Sequence, residues 1–169
     1  MRRLYLLRHA KSSWARPGLD DFERPLNARG REASPATGRR MRKAGLVPDL
    51  VLCSAARRAV ETWEALAPSL GREPAVKLYR SLYLAAPARI LETVRRAPDE
   101  AGAVLVIGHN PGMERLAAQL AGPGSDPEAL AELTAKYPTA ALAVFELDAG
   151  SWRDVELGAC RLEAFLKPG

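Results

Sequence analysis

The sequence predicts an α/β fold: a three-layer sandwich with a mixed, mostly parallel central sheet and helices on both faces. Three observations carry this expectation. Apolar runs of four to six residues alternate with stretches of helical period, the pattern of strands joined by crossover helices. The run AVLVIG at 103–108 is continuous, apolar and flanked by glycines, as suits a central strand covered on both faces. Further strand-like runs close the chain in ALAVFEL, SWRDVEL and ACRLEAF, which a mixed sheet accommodates. At 169 residues, with no linker-like stretch and no internal repeat, the chain reads as a single domain over 1–169, long enough to bury a sizeable core.

In chain order, Leu4–Leu7 predicts the first strand, followed by a loop holding Pro17, Gly18, Asp20, Asp21 and Pro25. PLNARGREASPATGRRMRKAG then reads as helix, with Asn27 as N-cap and Gly45 at the stop. Pro35 should kink or restart it, because proline removes a helical donor and crowds the preceding turn. DLVLCS predicts the second strand. ARRAVETWEALAPSLG predicts the second helix, with Val60, Trp63 and Leu66 on its apolar face. AVKLY is a short strand, and PARILETVRRA a helix opened by Pro87. AVLVIG and the helix PGMERLAAQLAG follow.

Composition excludes several classes. Nothing approaches the ~18 uninterrupted apolar residues of a membrane span. Two arginines precede Leu4–Leu7, but that run is shorter than the ~7–15 apolar residues of a secretory core, so a cytoplasmic protein is expected. Cys53 and Cys160 are too few for a disulfide framework and lack metal-type spacing. The net charge is +5, yet basic residues are spread along the chain and interleaved with acidic ones. No basic–aromatic platform accompanies them, so nucleic acid is not the expected partner. The arginines fit an anionic substrate better.

Ligands of open α/β sheets collect beyond the carboxyl ends of strands, near helix N-termini. Three strand-like runs here end in unusual polar groups: Arg8-His9, then SAAR with Arg57, then GHNPG with His109. Arg57 falls in the first turn of a helix, where the dipole disfavours a cation unless an anion is shared between the two. Both histidines of the chain and two arginines thus occupy matching contexts, which describes a phosphate pocket. Ser12 and Asn110, close by in the same stretches, are further candidates for substrate contact.

LLRHAKSS, SAARRAVET and VIGHNPG together resemble the signatures of the histidine phosphatase superfamily, with its phosphoglycerate mutase-like fold, and in particular its small bacterial phosphohistidine phosphatase branch. The likeness spans Leu4 to Gly112 in order. Ala10 departs from the superfamily's usual Arg-His-Gly, a variation compatible with that branch. The resemblance implies His9 as nucleophile, with Arg8, Arg57 and His109 on the phosphoryl oxygens. It implies no cofactor and no metal. The chemistry agrees: a neutral imidazole attacks phosphorus, fixed cations stabilise the equatorial oxygens, and neighbouring arginines keep His9 unprotonated.

Larger superfamily members often supply the leaving-group proton from a glutamate between the second motif and the second histidine. The matching stretch here, RSLYLAAP, has no acid, and Glu92 lies further on in a helix. The candidates are Asp20, Asp21 and Glu23 in LDDFERPLN; the resemblance implies Asp21 as general acid, since an acid three residues before RPL matches the pattern of the small branch. Little chain remains between Arg57 and His109 for a lid over a small substrate. The expected partner is therefore a histidine-phosphorylated protein, with a small phosphorylated metabolite or a silent phosphate-reading module as alternatives. The oligomeric state stays open. A cysteine-based phosphatase is excluded, since position 59, six after Cys53, is alanine.

Overall fold

The computed structural model describes residues 1–168. Six strands, β1 (Arg2–Arg8), β2 (Leu50–Ser54), β3 (Ala75–Tyr79), β4 (Ala103–Gly108), β5 (Leu142–Leu147) and β6 (Arg161–Leu166), form one sheet in the order β3-β2-β4-β1-β5-β6. The first four run parallel, while β5 is antiparallel to β1 and β6 to β5. Five helices surround them: α1 (Ala28–Lys43), α2 (Arg57–Leu66), α3 (Pro87–Arg95), α4 (Gly112–Leu120) and α5 (Pro127–Ala135). The expected mixed, mostly parallel sandwich is the fold observed.

Strand alternation builds the two interfaces. Leu4, Leu6, Leu52, Val104 and Val106 face one way and pack with Leu91 and Val94 of α3, Leu116 and Leu120 of α4, and Leu133 of α5. Tyr5, Leu7, Val51, Cys53, Leu105 and Ile107 face the other way, against Met41 of α1 and Ala59 and Leu66 of α2. Because consecutive residues of a strand point to opposite faces, an unbroken apolar run serves both layers. All four parallel strands end on the same edge of the sheet. In-register pairing of Arg8 with Gly108 brings the ends of β1 and β4 side by side.

Four local expectations are corrected. The helix α1 passes through Pro35 without a break; Arg31, whose carbonyl loses its usual donor there, is an exposed residue, where water can take that place. Both ends of α1 stand as expected: the Asn27 side chain accepts from the Gly30 N–H at 2.9 Å, and Gly45 takes φ +73° beyond the last turn. SWRDVEL is not a strand. Trp152–Asp154 form a 3-10 turn; its buried Trp152 and the buried Val155 that follows it are three apart, the spacing at which side chains of such a turn align. The helix α5 was missed, although Asp126 caps it by accepting from the Ala129 N–H at 2.8 Å and Pro127 opens it. Finally, the buried face of α2 is Arg58, Ala59, Thr62 and Leu66, with Val60 and Trp63 only partly covered.

Candidate active site

The segments leaving the carboxyl ends of β1 and β4, the first turn of α2 and the loop carrying Asp21 bound a cavity of about 450 Å³, lined by residues that include Arg8, His9, Asp21, Arg58, His109 and Asn110. His9 leaves β1 with its N–H bonded to the Gly108 carbonyl at 3.0 Å. Its ring lies 5.1 Å, centroid to centroid, from that of His109. Two histidines a hundred residues apart in sequence are thus walls of one site.

Hydrogen bonds fix the state of His9. Nδ1 lies 2.7 Å from the Ala10 carbonyl oxygen, which can only accept, so Nδ1 carries the proton. Nε2 is left with its lone pair and faces the Arg58 guanidinium, whose Nε lies 3.4 Å away. Burial first, and then the charges of Arg58, Arg8 and Arg24, push the His9 pKa down to about 4, against the Ala10 bond that favours the cation. A neutral imidazole whose Nε2 is unprotonated, here accepting from Arg58 Nε, is the form a nucleophile requires.

His109 sits behind it, with Nε2 2.7 Å from the Ser54 hydroxyl and the Tyr83 ring edge-on at 5.5 Å. Burial, followed by the neighbouring His9 and Arg58, lowers its pKa to about 3. The buried Nδ1 of His109 and the buried Nε of Arg8 have no hydrogen-bond partner among the described residues. Buried polar atoms are normally paired, and an oxyanion in the cavity is the natural acceptor for both. Arg8 is otherwise anchored through Nη1 to the Tyr137 carbonyl at 3.0 Å.

The structure replaces Arg57 with Arg58. Arg57 is exposed and pairs along the helix with Glu61 at 2.9 Å, outside the residues lining the cavity. Arg58 is 2% exposed. It reaches across to the Asp21 carbonyl at 2.7 Å and the Asp21 carboxylate at 3.0 Å. Successive helical residues are ~100° apart, so one of two adjacent arginines turns inward and the other outward. Arg58, Thr62 and Leu66 at i, i+4 and i+8 form the inward stripe, a phase set by what the helix packs on.

Asp21 lies in the cavity wall but not in the state expected of a general acid. Its carboxylate accepts from Arg24 Nε at 2.9 Å, from Arg58 at 3.0 Å and from the Tyr83 hydroxyl. Partial burial alone would raise its pKa. The bonds from Tyr83 and Arg24 and the charge of Arg58 outweigh that and hold it well below the usual carboxylate range. An ionised, triply bonded carboxylate has no proton to give; it positions Arg58 and Arg24. Asp20 and Glu23 are absent from the cavity lining. Asp21→Asn is therefore expected to lower kcat/KM by ~10-fold or more, alike for an alkyl phosphate, an aryl phosphate and phosphohistidine, since it loosens charged hydrogen bonds that serve every substrate. A loss confined to the alkyl ester would reinstate the acid role.

Two other candidates line the cavity but are held by the scaffold. The Ser12 hydroxyl accepts from Arg24 Nη1 at 2.6 Å. The Asn110 amide donates to the Tyr137 carbonyl at 2.9 Å and accepts from the Glu114 N–H at 3.2 Å. Arg24, the first residue of the RPL that marks out Asp21, and Tyr83 complete the site; Tyr83 has no distinguishing signal in the sequence. Among the described residues, no group of three or more His, Cys, Asp or Glu side chains is arranged to hold a metal ion.

Comparison with known proteins assigns the class. Residues 4–80 match the family described as histidine phosphatase superfamily (branch 1). An uncharacterized protein of Mycobacterium tuberculosis (strain H37Rv) is 37% identical over 163 residues, 96% of this chain and 99% of its own. The chain belongs to the histidine phosphatase superfamily. Within it, the chain falls in the SixA-like branch. It superposes on the provisionally named phosphohistidine phosphatase SixA of Nakamurella multipartitia with a TM-score of 0.83 and 29% identity, over 99% of this chain and 96% of that one. For its counterpart from Agrobacterium tumefaciens the values are 0.80 and 31%, over 99% and 98%.

Proposed function

We propose that this protein is a phosphohistidine phosphatase that works through a covalent intermediate on His9 and acts on phosphohistidine carried by another protein. The observation that carries the reading is the neutral His9, its tautomer set by the Ala10 carbonyl and its Nε2 directed at the buried guanidinium of Arg58. Nε2 attacks phosphorus as the bond to the leaving group breaks. The phosphoryl group passes to His9, with Arg8, Arg58 and the free Nδ1 of His109 on its oxygens. Water then attacks phosphorus, releases inorganic phosphate and returns the lone pair to Nε2.

The leaving group supports the choice of substrate. An alkoxide needs a proton as it departs, and Asp21, the only carboxylate lining the cavity among the described residues, is committed to two arginines and a tyrosine. A phosphohistidine whose ring is protonated at the other nitrogen departs as neutral imidazole and needs no donor. The SixA neighbours, by their provisional names, point the same way. The test compares kcat/KM on a histidine-phosphorylated protein, an aryl phosphate and an alkyl phosphate. A preference for the alkyl ester would overturn the reading.

The depressed pKa of His9 gives a pH dependence. A histidine with its ordinary value near 6.5 would lose its lone pair below that pH. With the pKa at about 4, kcat/KM, corrected for ionisation of the substrate, should stay level from pH 7 to about 5 and fall only near pH 4. An acid limb centred near 6.5 would show that the arginines and burial do not tune His9.

A further inference from the structure

The mouth of the cavity carries two apolar side chains that neither folding nor the phosphoryl chemistry explains. Trp14 lines the cavity and is 74% exposed, its ring stacked 3.5 Å from the Arg24 guanidinium. Leu84 lines the same cavity and is 53% exposed. Leu84 also holds φ +50°, a left-handed conformation costly for a branched side chain and usual for glycine or asparagine. The position gains only partial burial, and no backbone comfort, from leucine. Large apolar groups at such cost beside a reactive pocket fit contact with something outside the chain.

The surroundings narrow the occupant. Lys11, on the same rim, is exposed and forms no ion pair among the described residues. Lys11 and Thr139 also line a second cavity of about 480 Å³ that continues the surface past Arg29 and Ala36. A small metabolite would fill the phosphate pocket and leave this surface bare. A polypeptide would cover both.

We infer that Trp14 and Leu84 form an apolar clasp that selects a polypeptide whose phosphorylated histidine is flanked by apolar side chains. This rests on the phosphohistidine reading above and adds the recognition of the flanking residues. Trp14 is pre-ordered by its stack on Arg24, which is itself tied to Asp21 and Ser12, so little side-chain freedom is lost on docking. Aromatic anchors at the centre of an interface commonly dominate its affinity.

The experiment uses three substrates with the same N–P bond: a phosphohistidine peptide with leucine and phenylalanine neighbours, the same peptide with serine neighbours, and free phosphohistidine. The wild-type protein should favour the apolar-flanked peptide by ~10-fold or more in kcat/KM, the effect of one well-buried anchor. Trp14→Ala and Leu84→Gly should each reduce that preference several-fold. Leu84→Gly relieves the backbone while removing the side chain, so a folding defect is not expected to cloud the result. If the wild type hydrolyses all three alike, or if the variants keep the preference, the clasp is overturned and the phosphatase stands. If none of the three is hydrolysed while an aryl phosphate is, the phosphohistidine reading falls, and the clasp with it.

Discussion

His9→Ala should bring turnover down to background, a loss of more than ~10⁴-fold on every phosphorylated substrate, because the proposed mechanism passes through a covalent bond to His9 Nε2. Wild-type protein quenched in alkali during turnover should carry phosphate on His9, labile to acid, and the variant none. The fold should persist. The substitution leaves the Ala10 carbonyl without its donor, at a cost of ~1–3 kcal/mol, within the ~5–15 kcal/mol of a typical domain. Thermal unfolding and circular dichroism check that point. Residual activity above ~1% of wild type would transfer the nucleophile elsewhere.

The second large effect separates two neighbours in sequence. Arg58→Ala should lower kcat/KM by ~10²–10³, the usual cost of one preorganised donor at a developing oxyanion. Arg57→Ala should change it by less than about threefold, since it removes only a surface pair with Glu61. Arg58→Lys should fall between them: it keeps the charge but not the planar fork that spans His9 and Asp21. Steady-state kinetics of the three variants on one aryl phosphate suffice. Equal losses at positions 57 and 58 would place the substrate outside the cavity.

The sequence by itself determined the sheet, the order of its first four strands along the chain, and the two stretches that end in Arg8-His9 and His109. Those features are local. A continuous apolar run followed by polar residues and a helix start states both a strand and where it delivers its end. Only the tertiary structure decided which arginine of the pair at 57 and 58 turns inward, because helix phase is set by what the helix packs on. Val60 and Trp63 lie at the margin of the covered face and are only partly buried; Arg58, Ala59, Thr62 and Leu66 are the buried ones. The state of Asp21 was likewise beyond the sequence. Arg24 is a local neighbour, but Arg58 and Tyr83 reach it from separate elements, and a carboxylate is an acid or an anchor according to the cations and hydroxyls that fold around it.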